Sequence, residues 1–318
     1  MTKVVVTQWI HPEVAEELRA FCNPVLNESR EPLPPGELAA RCVEAEGIMA
    51  FMPDRIDRAF LEGCPWLRIV VATLKGFDNF DVEALKARGI TFRLQEDLLT
   101  VPTAELALGL MLGLGRHLLQ GDTLIRNGAF RGWRPTLYGL GLQGQRVGIL
   151  GFGNVGRALA ARLRPFEAEV LFHDLAQYGN EAEDHHGAVS VGLDTLLATS
   201  DYLVPLLPLT PETRCLLNRQ ALSRLKRGCL LINVARGGLV DETAVADLLA
   251  SGHLGGYAAD VFALEDWALE DRPQRIPEAL LADRTQTLFT PHLGSAVQKT
   301  RLAIERSAAQ QLRDFFSS

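Results

Sequence analysis

The sequence predicts an α/β protein made of two doubly wound parallel-sheet domains with an active-site cleft between them, and three observations carry that expectation. Its 318 residues are enough for two separate cores. Short apolar runs alternate with stretches of helical spacing along almost the whole chain, as parallel sheets require when each crossover is a helix. One of those runs, 147–150, leads into Gly151-Phe-Gly-Asn-Val-Gly156 and then into 157–163, which has helical spacing.

Residues 4–7 read as the first strand and 12–21 as a helix. Glu31-Pro-Leu-Pro-Pro-Gly36 is a turn whose prolines open a helix over 37–45. An apolar run at 47–51, a helix at 56–61 and a strand at 67–72 complete the alternation of a small first domain. Asp97-Leu-Leu-Thr-Val-Pro-Thr-Ala-Glu105 is expected to link it to a long apolar helix, with Thr103 placed to cap that helix. Strands are then expected near 147–150, 169–173, 188–191, 201–207, 229–234, 256–261 and 286–290. Pro205 cannot donate a ladder hydrogen bond, so a bulge or an early strand end is expected there. A final helix over 295–316 can return to the first domain. The expected boundaries are 1–99 plus 293–318 for a substrate-binding domain and 100–292 for a dinucleotide-binding one.

In the glycine turn, Gly151 permits the sharp bend, Gly153 lets backbone approach a pyrophosphate, and Gly156 lets helix pack on strand. The free N–H groups of the helix start face the same place. The next apolar run ends at His173-Asp174, where an acidic side chain can accept from the adenosine ribose hydroxyls and repel a 2′-phosphate. The pattern is Rossmann-like and points to NAD rather than NADP, although Asp174 in isolation also fits a helix cap or a loop acid.

A net charge of -7 without a run of Lys or Arg argues against nucleic acid as a partner, and a local basic pocket can still hold a small anion. Five cysteines with no CxxC pair point to free thiols, no metal and a cytoplasmic setting. The apolar stretch 106–114 is stopped by Arg116 and His117, too short for a membrane span. Being apolar on all sides, the helix 103–119 wants two partners, which fits a homodimer contact or burial within one chain.

The groups suited to chemistry follow strands, where an open parallel sheet presents its ligand crevice. Arg236, in Asn233-Val-Ala-Arg-Gly-Gly-Leu-Val-Asp-Glu242, offers a bidentate grip on an oxyanion, or else balances Asp241 and Glu242 at the surface. Glu265 and His292 each lie just beyond an expected strand, and a histidine oriented by a carboxylate suits proton transfer near neutral pH. Lys75, in Thr73-Leu-Lys-Gly-Phe-Asp-Asn-Phe-Asp81, can direct an ammonium at an anion or simply be a surface lysine.

With these motifs in view, the chain resembles the NAD-dependent D-2-hydroxyacid dehydrogenase family over nearly its whole length. The segments are Gly151–Gly156, Leu207-Pro-Leu-Thr-Pro-Glu-Thr213, the stretch from Asn233 to Glu242, Ala259-Asp-Val-Phe262 and Pro291-His-Leu-Gly-Ser295. The resemblance implies that Arg236 binds the substrate anion, that Glu265 and His292 form the catalytic pair, and that Asp260 holds the nicotinamide carboxamide. Further likeness, to the phosphite-oxidising branch of the family, rests on Phe51-Met-Pro-Asp54, 74–81, 97–105, Gly132-Trp-Arg-Pro-Thr-Leu-Tyr-Gly139, Glu265-Asp-Trp267 and Asp271-Arg-Pro273. It implies a phosphite substrate held by Lys75, Gly76 and Arg236, with Met52, Trp133, Tyr138, Ser295 and Arg301 as lesser contacts. The cofactor contacts it implies are Lys75, Thr103, Gly151, Gly153, Asn154, Val155, Gly156, Asp174, Leu206, Leu207, Pro208, Thr213, Val234, Ala235, Arg236, Asp260 and His292. A D-2-hydroxyacid dehydrogenase acting on a carboxylate, or an NAD-sensing corepressor-like binding protein, remains open as an alternative.

Overall fold

The computed structural model describes residues 1–95, 97–176 and 187–318. The chain divides into two compact units, Met1–Leu99 with Trp267–Glu270 and Ser295–Ser318, and Thr100–Asp266 with Asp271–Gly294.

The first unit runs β1 (Lys3–Val6), α1 (Pro12–Arg19), β2 (Asn23–Val25), α2 (Pro35–Cys42), β3 (Gly47–Ala50), α3 (Arg58–Glu62), β4 (Ile69–Ala72), α4 (Val82–Ala87) and β5 (Thr91–Arg93). These form one parallel sheet in the order β2-β1-β3-β4-β5. Because strand side chains alternate, the central strands feed two cores. Val5, Ile48, Ala50, Val70 and Ala72 pack on one face, and Val4, Val6, Met49, Ile69 and Val71 on the other. The C-terminal helix (Gln298–Ser317) covers the second face through Ala308, Ala309 and Leu312, so the last element does belong to this unit. Asp57 caps α3 by accepting from Phe60 N–H at 2.9 Å, which starts that helix later than the pattern implied and frees Ile56 to bridge Phe80.

The second unit runs α5 (Thr100–Gly115), α6 (Leu118–Arg126), β6 (Arg146–Leu150), α7 (Asn154–Leu163), β7 (Glu169–His173), β8 (Ala188–Ser190), α8 (Leu193–Thr199), β9 (Tyr202–Pro205), α9 (Arg219–Leu222), β10 (Leu230–Asn233), α10 (Glu242–Ala250), β11 (Gly256–Ala259), α11 (Glu278–Ala282) and β12 (Thr287–Phe289). The C-terminal helix above is α12. The sheet order is β12-β11-β10-β9-β6-β7-β8, all parallel. From β6 the chain builds outward through β7 and β8, then returns to place β9 on the other side of β6. That reversal opens a crevice at the carboxyl ends of the strands.

One expectation needs correction, and one of two alternatives is met. Thr103 lies inside α5, which already begins at Thr100, and therefore does not cap it. The all-round apolar character of 106–114 is met within this unit, by β10–β12 on one side and α7 on the other. Helix α6 buries no residue and shows Leu118, Leu119, Leu124 and Ile125 to solvent. Pro205 is the last residue of β9, and the next residue, Leu206, resumes donation to Leu150 O at 2.7 Å. Among the described residues, no helix is long and apolar enough to cross a membrane.

Candidate active site

The glycine turn after β6 has the shape its residues demand. Gly151 adopts a φ of +100°, and a Cβ there would lie 2.8 Å from Leu206 O and 2.9 Å from Leu207 Cδ2, so only glycine closes the turn against the end of β9. A Cβ on Gly156 would meet Gly151 O at 2.5 Å, whereas Gly153 faces open space. Gly153 is also the N-cap of α7 and supplies no side-chain acceptor, so the first-turn N–H groups can face a ligand. Asn154 accepts from Arg157 Nη2 at 2.7 Å, and Val155 packs against the core. Asp174, just past β7, accepts from Phe152 N–H at 2.6 Å and from Ala176 N–H at 2.9 Å, which places its carboxylate at the glycine turn. Open backbone at Gly153, helix-start donors and an adjacent carboxylate fit a dinucleotide pyrophosphate and ribose.

Leu206, Leu207 and Pro208 follow β9, and Thr213 donates to Pro208 O at 2.6 Å to hold that loop. Val234, Ala235 and Arg236 follow β10. The buried Asn233 laces this turn, accepting from Ala235 N–H at 3.1 Å and donating to Arg236 O at 2.9 Å.

The next two strands carry the pair. His292 Nδ1 and Glu265 Oε2 are 2.6 Å apart, while Glu265 Oε1 accepts from Phe262 N–H at 2.8 Å. With Glu265 ionised, Nδ1 carries the proton and Nε2 is the basic atom. His292 sits at a φ of +55°, uncommon outside glycine, and Asp260 holds it there. Asp260 accepts from His292 N–H through its carbonyl at 2.8 Å, while its carboxylate takes Thr290 Oγ1 at 2.5 Å, Leu293 N–H at 2.7 Å and Gly294 N–H at 2.9 Å. Burial raises the Asp260 carboxyl above its ordinary range, opposed by these donors. A Cβ on Gly294 would come within 3.3 Å of Thr103 Oγ1, so Thr103 borders the same turn.

In the first unit, Lys75 and Gly76 follow β4 and Met52 follows β3. Asn79 ties those two loops together, donating to Met52 O at 3.0 Å and Asp54 O at 2.5 Å. Asp54 is buried and accepts from Phe51 N–H at 2.6 Å and from the Thr7 hydroxyl; burial pushes its carboxyl up to about 6. Arg301 on α12 lies 5.5 Å over the Phe51 ring and 3.9 Å from Glu305, and Ser295 precedes that helix.

Arg236, Glu265, His292 and Asp260 are thus gathered at strand ends of one sheet, and Met52, Lys75 and Gly76 at those of the other. Trp133 and Tyr138 are 83% and 77% exposed on the segment after α6 and join neither group. Glu242, which the sequence offered only as one possible surface counter-charge to Arg236, is a residue whose role sequence reasoning missed. It is 6% exposed and accepts from Ala263 N–H at 2.8 Å, while its neighbour Asp241 caps α10. An Asp-Glu pair opening a helix is ordinarily solvated, so no sequence signal marks this burial. Among the described residues no His, Cys, Asp and Glu cluster could hold a metal, and the cysteines are free.

Residues 108–294 match the family described as D-isomer specific 2-hydroxyacid dehydrogenase, NAD binding domain. The chain is 31% identical to a glyoxylate reductase of Thermococcus litoralis, covering 98% of this chain and 93% of that protein. It is 34% identical to glyoxylate/hydroxypyruvate reductase B of Erwinia tasmaniensis, covering 85% and 81%. The solved NADPH-dependent glyoxylate/hydroxypyruvate reductase of Sinorhizobium meliloti, in complex with NADP and malonate, superposes with a TM-score of 0.85 at 30% identity, covering 100% and 94%.

Proposed function

This chain belongs to the D-isomer specific 2-hydroxyacid dehydrogenase family, and from that premise we propose that it interconverts a small 2-oxoacid and its 2-hydroxyacid, as a glyoxylate or hydroxypyruvate reductase. The observation that carries the reading is the 2.6 Å pair of His292 and Glu265, built on the same sheet edge as the Arg236 turn. Arg236 grips the substrate carboxylate. His292, oriented through Nδ1 by Glu265, exchanges a proton at Nε2 with the substrate oxygen. NAD, when bound, supplies or takes up the hydride; Gly153 and the start of α7 hold its pyrophosphate and Asp174 its adenosine ribose.

A second reading, oxidation of phosphite to phosphate, rests on the likeness carried by Phe51-Met-Pro-Asp54, the Lys75 segment 74–81 and Gly132-Trp-Arg-Pro-Thr-Leu-Tyr-Gly139. It assigns Arg236 to the dianion and His292 to a water that attacks phosphorus as hydride leaves for NAD. The two readings share the cofactor and the pair and differ in the atom oxidised. Purified protein with NAD and D-glycerate, D-lactate or phosphite, and with NADH and glyoxylate or hydroxypyruvate, separates them. Turnover of the carbon acids alone supports the first reading. NADH formed only with phosphite, with equal phosphate release, replaces it by the second, and no turnover with any of them removes both.

The solvent-facing Leu118, Leu119, Leu124 and Ile125 of α6 support a homodimer formed through that helix. Light scattering that finds a monomer at micromolar concentration would contradict this assembly.

A further inference from the structure

We propose that Glu242 is a positioning residue for the Glu265–His292 pair, tying the turn that carries Glu265 to the turn that carries Arg236. This rests on the reading of that pair as the proton-transferring group.

Glu242 opens α10, yet its side chain leaves solvent and crosses to the backbone N–H of Ala263 at 2.8 Å. Ala263 begins the short 3-10 turn Ala263–Glu265, so this bond anchors the end of the turn opposite Glu265. The two turns also meet backbone on backbone at Gly237, and the Asp266 side chain lies against Gly238. A methyl on Gly237, the residue after Arg236, would fall inside the van der Waals envelope of Phe262 C and Ala263 N. Glycine therefore sets how closely the turns approach, and the Glu242 bond sets their register. Without that carboxylate, the Ala263 N–H loses its acceptor and the turn is free to slide along the glycine contact. A displacement of about 1 Å at a catalytic group is enough to lower rates roughly a hundredfold.

The groups facing Glu242 are acidic: Asp266, Glu265 and Asp241, with the buried Tyr257 hydroxyl also close. Burial first, and these carboxylates after it, push its carboxyl up to about 7. Above that pH the ionised Glu242 adds negative charge behind Glu265, and below it the carboxyl is neutral. The charge and the tether thus have separable signatures.

The test compares E242A and E242Q with the wild type in full-length protein. Hydrogen–deuterium exchange reports on 261–267 and 236–240, and kcat, KM and the pH dependence of kcat/KM are measured with whichever substrate the wild type turns over. The expected result is faster exchange in both segments for E242A, with kcat down about tenfold to a hundredfold and KM within about threefold. E242Q keeps an acceptor for Ala263 N–H and restores most of both losses, while the pH dependence that Glu242 itself imposes on kcat/KM near pH 7 is lost. Wild-type exchange in E242A overturns the proposal even if no substrate is turned over. Normal exchange with wild-type kcat overturns it while leaving the function intact. An inactive wild type refutes the function and leaves the exchange comparison to decide the tether.

Discussion

Replacing Asp54 by asparagine should reverse its effect on stability between mildly acid and neutral pH. Asp54 is buried, and its carboxyl is raised from 3.8 to about 6 because burial outweighs the donors from Phe51 N–H and Thr7. Between those values the folded chain binds the proton and the unfolded chain releases it, so wild-type stability falls as pH rises through this window. At about 1.4 kcal/mol per pH unit, the loss between pH 4 and pH 7.5 is about 2.5 kcal/mol. The amide of the D54N variant cannot ionise and escapes that loss, but it replaces a hydrogen-bonded carboxylic acid at a cost of about 1 kcal/mol. The variant should therefore be about 0.5 kcal/mol less stable than wild type at pH 4 and about 2 kcal/mol more stable at pH 7.5. Urea unfolding at both pH values gives the two differences, and other titrating groups cancel in each comparison. A difference that stays constant across this range would refute the assignment of a raised carboxyl to Asp54.

Glu265→Gln should lower kcat by about 10²–10⁴ with little change in NAD affinity, since it removes the charge that orients and stabilises protonated His292; unchanged kcat would separate the pair from the chemistry. Gly237→Ala should lose about 3 kcal/mol or more and most of the activity because its methyl meets backbone, whereas Gly238→Ala meets the Asp266 side chain and should lose about 1 kcal/mol. Equal thermal midpoints for the two variants would contradict that distinction. Asp174→Ala should raise the KM for NAD about tenfold and narrow the preference over NADP, as measured by kcat/KM with each cofactor; an unchanged ratio would return Asp174 to a structural role.

The parts legible in the sequence were those where local chemistry and tertiary structure agree. The run into Gly151, Gly153 and Gly156 specifies strand, turn and helix because each glycine meets a separate steric demand. Pro205 marked the end of β9 because it cannot donate to the sheet. Glu265 and His292 were paired from their places beyond two strands, and adjacency of β11 and β12 brings them together. What escaped depends on partners distant in sequence. The short edge strands β2 and β5 have three residues each and no alternation to read. Helix α5 is apolar all round because sheet and α7 enclose it, a pattern that a subunit contact would share. Asp54 and Glu242 look like surface acids until the fold supplies Phe51, Thr7 and Ala263 as donors and removes water.

The most direct test is to supply NADH deuterated at the transferring position of C4, together with glyoxylate or hydroxypyruvate, and to weigh the product. The family chemistry assigned to Arg236, Glu265 and His292 predicts a 2-hydroxyacid carrying one deuterium on the former carbonyl carbon, formed by wild type and about 10²–10⁴ times more slowly by His292→Ala. Failure of the wild type to form labelled product from either acid, with NADH bound, would contradict 2-oxoacid reduction.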